Sequence, residues 1–188
     1  MAIVGLPNAG KSTLVNHYLH EKVSIVSSKP QTTRTNITCI LTLPSYQVIF
    51  IDTPGILKPK YRMQETMATC VVNAVNKADV ILVLYDITTF KDSIHSELVN
   101  FSSTIESGKV VVALNKIDRI KKVHLLVIIE RMAQLFPGAD IVPISALKGS
   151  GTEELLTVIT AKLPEGPSLY PEDIISSEPE RFFVSEII

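Results

Sequence analysis

The chain has 188 residues, of which 46% are hydrophobic and 20% charged, and its formal net charge is -1. This length suffices for one domain with a sizeable core, and so small a net charge gives no general attraction to nucleic acid. No apolar run reaches the roughly 18 residues that a membrane-spanning helix needs. Cys39 and Cys70 lack the spacing of metal ligands. These features favour a folded protein of a reducing compartment, without a transmembrane segment.

Short runs rich in β-branched residues alternate along the chain with longer segments of helical period. The pattern predicts strands at 2–4, 37–43, 47–51, 80–85, 110–114 and 141–144. It predicts helices at 11–20, 64–77, 93–107, 123–136 and 152–163. The apolar run at 125–129 would also fit a strand, but the length of its segment and the following Pro137 and Gly138 favour a helix.

Two of the predicted strands, VILVLY and VVVAL, are apolar throughout, which indicates that helices cover both faces of a parallel sheet. Only LPSY, residues 43–46, separates the second strand from the third. This connection is too short for a crossover, so the two strands must form an antiparallel hairpin. We therefore predict a doubly wound α/β fold with a six-stranded, mostly parallel sheet that contains one antiparallel strand.

After Leu163 the composition changes to that of an extended linker. Prolines recur at positions 164, 167, 171 and 179, with acidic residues between them. The segment RFFVSEII, residues 181–188, then starts a new apolar pattern. We expect one domain at 1–163, followed at 164–188 by a linker and the truncated start of a second domain.

The stretch GLPNAGKST, residues 5–13, follows the first strand and precedes the first helix. Gly5, Gly10, Lys11 and Ser12 match the P-loop motif GxxxxGK[ST], in which backbone N–H groups and a helix N-terminus bind a polyphosphate. Lys11 is expected to pair with the β- and γ-phosphate oxygens, and the Ser12 hydroxyl to bind Mg²⁺. In this context the motif predicts a nucleoside triphosphate site.

The motif DTPG, residues 52–55, comes directly after the apolar strand QVIFI. It therefore lies at the carboxyl end of a strand, where α/β sheets bind ligands. Asp52 is expected to hold Mg²⁺ through water, and the Gly55 N–H to reach the γ-phosphate. An Asp before a Pro-Gly pair is by itself more often a plain turn, but the P-loop upstream favours the functional interpretation.

The motif NKID, residues 115–118, follows the strand VVVAL. The Asp118 carboxylate has two acceptor oxygens that match the N1–H and 2-amino groups of guanine, and adenine offers neither donor on that edge. A weaker signal is SAL, residues 145–147, where the Ala146 N–H could donate to the guanine O6. Together these motifs predict selection of GTP over ATP.

GLPNAGKSTLVN, QTTRTN, DTPG, NKID and SAL stand in the order and spacing of the Era family, within the translation-factor-related GTPases. The chain thus resembles a P-loop GTPase of that family over essentially its full length, with the GTP-binding domain at 1–163. The tail PEGPSLYPEDIISSEPERFFVSEII resembles the connection into the C-terminal, KH-type RNA-binding domain of Era. The tRNA-modifying TrmE GTPase and the tandem-domain Der GTPases share the core motifs and stay as alternatives, although neither is expected to carry this tail.

The resemblance implies GTP and GDP as ligands, Mg²⁺ as cofactor, and hydrolysis of GTP by a molecular switch. It also implies binding to small-subunit ribosomal RNA and a role in maturation of the small ribosomal subunit, mainly through a KH domain whose GxxG loop does not occur before Ile188. The implied protein is a monomer of the bacterial cytoplasm, or of a chloroplast stroma or mitochondrial matrix if a transit segment is missing. A peripheral membrane contact stays open.

The residues expected to bind the nucleotide come from the four motifs. They are Gly5, Leu6, Pro7, Asn8, Ala9, Gly10, Lys11, Ser12, Thr13, Asp52, Thr53, Pro54, Gly55, Asn115, Lys116, Asp118, Ser145, Ala146 and Leu147. The resemblance places Mg²⁺ at Ser12, Thr33 and Asp52, with Thr32 as the alternative to Thr33 in the first switch segment. It implies catalytic roles for Asn8, Lys11, Thr33 and Gly55.

The residue after Gly55 is Ile56, where Ras-like enzymes have a glutamine that orients water, and an isoleucine side chain cannot hydrogen-bond water. Asn8 resembles the P-loop asparagine that helps TrmE-type GTPases to bind K⁺, which would supply positive charge beside the phosphates. The other interpretation of Asn8 is that it shapes the turn. Two further functions stay open, namely a nucleotide-gated binding module with negligible turnover and an ATP-using P-loop kinase.

Overall fold

The computed structural model describes residues 1–21, 33, 35–90, 93–105, 107–120 and 122–177, and for residues 107 and 122–124 the backbone alone. In this part of the chain six strands form one sheet. They are β1 (Ala2–Val4), β2 (Ile37–Leu43), β3 (Tyr46–Asp52), β4 (Ile81–Asp86), β5 (Val110–Asn115) and β6 (Asp140–Pro143).

The strands lie in the order β2-β3-β1-β4-β5-β6. The β2–β3 pair is antiparallel, with Ile37 opposite Asp52 and Leu43 opposite Tyr46, and every other pair is parallel. The predicted α/β sheet with one antiparallel strand is therefore confirmed. Because β1 lies between β3 and β4, the segments that leave the carboxyl ends of these three strands meet at one edge of the sheet.

Within the described residues, five α-helices pack on this sheet. They are α1 (Lys11–Leu19), α2 (Arg62–Lys77), α3 (Ser96–Ser102), α4 (Lys122–Leu135) and α5 (Thr152–Thr160). Leu14 of α1 and Leu155 of α5 belong to one apolar cluster, whereas Val71 of α2 and Leu98 of α3 belong to another. Helices thus cover both faces, which explains why β4 and β5 are buried along their whole length. No helix among the described residues is long and apolar enough to cross a bilayer.

The ambiguous apolar run at 125–129 is helical, as predicted. Ile128 and Met132 of α4 are buried four residues apart, while Leu126 is 71% exposed. A four-residue spacing of buried side chains is the period of one helix face, and a strand would bury alternate residues. The exposed apolar side chains of this run lie on the solvent side of α4.

Three helices differ from the predicted ones by two residues or more. Helix α5 ends at Thr160, three residues before its predicted end, and the differences at α3 and α2 have identifiable reasons. The helix predicted at 93–107 is only Ser96–Ser102, because the hydroxyls of Ser102, Ser103 and Thr104 each donate to the backbone carbonyl three residues earlier, at 2.7–2.8 Å. Such local bonds compete with helical ones. Helix α2 begins at Arg62, two residues before its predicted start, and the Gln64 side chain accepts the Lys60 N–H at 2.8 Å next to the first turn.

The residues after α5 run back along the edge of the sheet. The Ile40 N–H of the edge strand β2 donates to the Ile175 carbonyl at 2.8 Å, and the Ser176 hydroxyl donates to the Thr38 carbonyl at 2.8 Å. The described part of the tail after Leu163 is thus hydrogen-bonded to the sheet. The boundary near Leu163 stays a prediction, and the segment 181–188 lies outside the described residues.

The Gln47 side chain of β3 fixes the middle of this tail segment. Its Oε1 accepts the N–H groups of Leu169 at 2.9 Å and Tyr170 at 3.0 Å. Its Nε2 donates to the Tyr170 carbonyl and to the Thr42 hydroxyl, both at 2.9 Å. The Gln47 amide group therefore makes the hydrogen bonds to residues 169 and 170 that a neighbouring strand would otherwise make.

We expect Gln47→Ala to lower the free energy of unfolding by about 1–2 kcal/mol, because it removes four hydrogen bonds of a partly buried amide. It should also speed proteolysis at residues 168–176. Urea unfolding and limited proteolysis test both effects. Gln134→Ala, on the exposed side of α4, is the matched control. Equal stability and cleavage of the two variants would contradict the role of Gln47.

Candidate functional site

The segment between β1 and α1 has the backbone of an anion-binding loop. Gly10 has φ of 99° and lies so close to Asn115 that an added Cβ would be 2.4 Å from the Asn115 Nδ2, so only glycine fits. Helix α1 starts at Lys11 without a side-chain cap. Its first-turn N–H groups and its positive dipole end are therefore directed at the loop, as a bound phosphate requires.

Lys11 lies under this loop and is only 7% exposed. Its Nζ donates to the Gly5 carbonyl at 3.4 Å and to the Leu6 carbonyl at 3.3 Å. Burial lowers the pKa of the Lys11 ammonium below its usual value, and the Asp52 carboxylate acts in the opposite direction. Long bonds to neutral carbonyls compensate a buried cation only in part, so the site favours an anion next to Lys11.

Three side-chain oxygens meet beside the start of α1. The Ser12 hydroxyl donates to Asp52 Oδ2 at 2.7 Å and lies 3.4 Å from the Thr33 hydroxyl. Asp52 and Thr33 are both buried. Oxygen donors with a single carboxylate fit Mg²⁺, which binds few protein ligands and completes its shell with phosphate oxygens and water. The described ranges contain no group of three or more His, Cys, Asp or Glu side chains that could hold a metal ion.

The DTPG loop packs directly on the P-loop. The Thr53 hydroxyl donates to the Ile3 carbonyl at 2.7 Å, and the Ile56 N–H donates to the Gly5 carbonyl at 2.9 Å. A Cβ at Gly55 would lie 2.8 Å from the backbone nitrogen of Pro7, so this close approach requires glycine. The two loops that would contact the γ-phosphate are thus joined before any ligand binds.

Asn115 joins the P-loop to the loop at 145–147. It is 2% exposed, and its Nδ2 donates to the Ala9 carbonyl at 2.8 Å. Its Oδ1 accepts the Lys116 N–H at 2.8 Å and the Ala146 N–H at 2.9 Å. The Ala146 N–H, expected to reach the guanine O6, is thus bonded within the protein, and its contact with the base stays a prediction.

The Asp118 carboxylate is exposed, and Oδ1 accepts the Ser145 hydroxyl at 2.6 Å. This bond holds the pKa of the Asp118 carboxyl below its usual value, so the group is ionised at neutral pH. Next to it is a cavity of about 130 Å³. The cavity is lined by Gly10, Thr13, Asn115, Lys116, Asp118, Arg119, Ser145, Ala146 and Leu147. Residues from three of the predicted motifs therefore face one space.

The structure brings the predicted site residues to one edge of the sheet, since all four motifs follow the carboxyl ends of strands. Asn8 is exposed and has φ of 61°, which supports its turn-shaping role and leaves its K⁺ role a prediction. Thr33 lies beside Ser12 as expected. Thr32 lies outside the described residues. Leu147 lines the cavity but is 66% exposed.

Two residues at this edge were not predicted from the sequence. Arg119 lines the cavity. Asp86, the last residue of β4, lies 2.5 Å from the Lys116 Nζ through its Oδ2. Asp86 follows its strand as Asp52 follows β3, so the rule that ligands lie at the carboxyl ends of strands could have identified it.

Comparisons with known proteins agree on one family. A family model described as 50S ribosome-binding GTPase matches residues 1–116. GTPase Era of Clostridium botulinum (strain Eklund 17B / Type B) is 43% identical over 190 residues, and GTPase Era of Geotalea daltonii is 40% identical over 188 residues. Both alignments cover 100% of this chain and 63% of the relative. The chain thus spans somewhat less than two thirds of the length of these curated relatives.

Solved structures of Era have the same architecture. A variant of Aquifex aeolicus Era bound to GDP·AlF4⁻ is 40% identical, with a TM-score of 0.90 over 99% of this chain and 64% of the other. Era in complex with MgGDPNP and nucleotides 1506–1542 of 16S ribosomal RNA is 39% identical, with a TM-score of 0.91 over 99% of this chain and 63% of the other. The chain therefore belongs to the family of 50S ribosome-binding GTPases and has the G domain of an Era GTPase.

Proposed function

We propose that this protein binds GTP and GDP together with Mg²⁺ and hydrolyses GTP to GDP and phosphate. One observation carries the proposal. The Asn115 side chain bonds to Ala9 of the P-loop and to Ala146 of the 145–147 loop, so the phosphate site and the Asp118 carboxylate face the same cavity. A polyphosphate on the loop and a purine against Asp118 would then belong to one ligand.

Each group in the site has a role that follows from its position. Lys11 and the first-turn N–H groups of α1 bind the phosphate oxygens, and the Gly55 N–H approaches from the DTPG loop. Ser12, Thr33 and Asp52 supply the protein oxygens for Mg²⁺. When bound, Mg²⁺ offsets the negative charge that the transferred phosphoryl group develops.

Asp118 selects the base. It accepts the Ser145 hydroxyl through one oxygen and keeps acceptor capacity for the N1–H and 2-amino groups of guanine. The competing proposal of an ATP-using kinase lacks this match, because adenine has no donors at these positions.

Water attack on the γ-phosphate needs a group other than Ile56. The Ile56 N–H is bonded to Gly5, and its side chain packs against the second apolar cluster. Because Ile56 is engaged in these contacts, we propose that a K⁺ ion held near Asn8 supplies the added positive charge, since such a charge lowers the barrier where negative charge develops. The same contacts also support the second candidate function, a binding module that holds the nucleotide and turns it over negligibly.

We further propose that the protein acts in ribosome biogenesis. The support is the Era identity of its curated relatives and the Era structure that contains a 16S ribosomal RNA segment. The Era matches favour this role over that of TrmE or Der. Because the described chain has no net basic character, RNA contact would be carried mainly by a KH-type region. The bacterial origin of the relatives supports a cytoplasmic location. The monomeric state stays a prediction.

Asp118→Ala should abolish the preference for guanine. Two hydrogen bonds to a charged acceptor contribute about 1.5–3 kcal/mol each, so the affinity for GDP should fall by at least about a hundredfold. The affinity for ADP should stay unchanged, which makes it the internal control. Competition of unlabelled nucleotides against a fluorescent GDP analogue measures both. Unchanged selectivity would contradict the role of Asp118.

Ser145→Ala should raise the pH below which GDP binding is lost. The Ser145 hydroxyl keeps the pKa of Asp118 low, so binding by the ionised carboxylate is present above that pKa and is lost as the pH falls through it. Without the hydroxyl the pKa rises and the loss begins at higher pH. GDP titrations from neutral pH to about pH 3, below the usual aspartate pKa of about 3.9, test this. Ser150→Ala, an exposed residue of the same loop, is the control. Coincident pH profiles would refute the prediction.

Single-turnover phosphate release with Mg²⁺ should be about tenfold or more faster in KCl than in NaCl at equal ionic strength. Asn8→Gly should remove this difference and still bind GDP, because glycine adopts φ of 61° without strain and lacks only the side chain. Potassium stimulation that persists in this variant would leave Asn8 with the turn-shaping role alone. No phosphate release in either salt would favour the binding module.

A further inference from the structure

We propose that Asp86 is a positioning residue of the nucleotide site, acting through Lys116 on the P-loop residue Asn8. This inference rests on the proposed nucleotide-binding function. Asp86 is not among the residues that line the cavity, whereas Lys116 is. Any effect of Asp86 on a bound nucleotide must therefore pass through Lys116 or the backbone.

The contacts form a chain from β4 to the P-loop. Asp86 Oδ2 lies 2.5 Å from the Lys116 Nζ, and the same Nζ donates to the Asn8 carbonyl at 2.9 Å. The side chains of Asp86 and Lys116 are 10% and 24% exposed, so solvent screens this ion pair only in part. The Lys116 ammonium group thus contacts both Asp86, 30 positions away in the sequence, and Asn8, 108 positions away.

Both residues of the Lys116–Asn8 contact have left-handed backbone conformations. Asn8 has φ of 61° and Lys116 has φ of 70°. Among the described residues His20 is the only other non-glycine residue with positive φ, and it ends α1. Asparagine tolerates the left-handed region, but lysine does not favour it. Such conformations persist only where surrounding contacts fix them, and the Asp86–Lys116–Asn8 chain is such a contact.

Only a carboxylate satisfies all donors around position 86. Asp86 Oδ1 accepts the Thr88 N–H at 2.9 Å and the Thr88 hydroxyl at 2.6 Å, while Oδ2 faces Lys116. An asparagine has one acceptor oxygen, so its NH₂ group would face either Lys116 or the Thr88 N–H, both of which are donors. The Asp86→Asn variant should therefore release Lys116 while it conserves side-chain size.

The experiment measures dissociation of a fluorescent GDP analogue from the full chain. We expect Asp86→Asn to speed dissociation about tenfold, because loss of one partner of a partly buried charge pair acts mainly on the dissociation rate. Lys116→Met should speed it at least as much. In the Lys116→Met background, adding Asp86→Asn should change the rate by less than about twofold, since the partner is already absent.

The control is Asp140→Asn. Asp140 pairs with Lys162 at 2.9 Å, with side chains 50% and 27% exposed, and it lies on β6 away from the cavity. This variant removes the same charge and should leave GDP dissociation within twofold of that of the unmodified chain. Asp86→Glu keeps a carboxylate and should give an intermediate dissociation rate. If Asp86→Asn does not fold, Asp86→Glu replaces it in the comparison with and without Lys116→Met.

Three outcomes would overturn the proposal. Two of them concern Asp86 alone: GDP dissociates from Asp86→Asn no faster than from Asp140→Asn, or the effects of Asp86→Asn and Lys116→Met multiply, which indicates independent structural action. In both cases the proposed GTP-binding function stands. If the unmodified chain does not bind GDP at all, the proposed function fails and the role of Asp86 fails with it.

Discussion

The site depends on one buried amide, the side chain of Asn115. It makes three hydrogen bonds, to the Ala9 carbonyl, the Lys116 N–H and the Ala146 N–H, and so holds two loops that are far apart in sequence. An aspartate would lack the donor for Ala9, and a glutamine would be one methylene too long for the same distances. The constraint extends to Gly10, whose missing Cβ makes room for the Asn115 Nδ2. The distance between the phosphate site and the base site is thereby fixed in the folded chain.

The charges around the P-loop follow from the strand order. Because β1 lies between β3 and β4, the P-loop leaves the sheet between Asp52 and Asp86, the last residues of the two flanking strands. Asp52 opposes the desolvation of Lys11, and Asp86 pairs with Lys116. Each lysine at the site thus has a nearby carboxylate, which lowers the cost of holding two cations together.

Sequence reasoning identified what is encoded locally. The apolar runs of β4 and β5 predicted buried parallel strands, and the short connection to β3 predicted the hairpin with β2. The P-loop and the three other motifs were found because each follows a strand. The features that were not predicted depend on contacts between residues that are far apart in the sequence. Asp86 gains its role only because β4 and β5 are neighbours, which brings it next to Lys116. The tail looked like a free linker because its prolines and acidic residues give no sign that Gln47 would bond to Leu169 and Tyr170.

The position of Ile56 limits how this site can perform chemistry. Its N–H is bonded to Gly5 and its partly buried side chain packs against the second apolar cluster, so the chain after Gly55 is anchored where a water-orienting side chain would be needed. The close contact between Pro7 and Gly55 also leaves the DTPG loop little freedom beside the P-loop. Because of these contacts, a small local movement would not bring another side chain into the position of Ile56. The proposed hydrolysis therefore needs a group other than Ile56, and the K⁺ ion proposed near Asn8 would supply positive charge where negative charge develops.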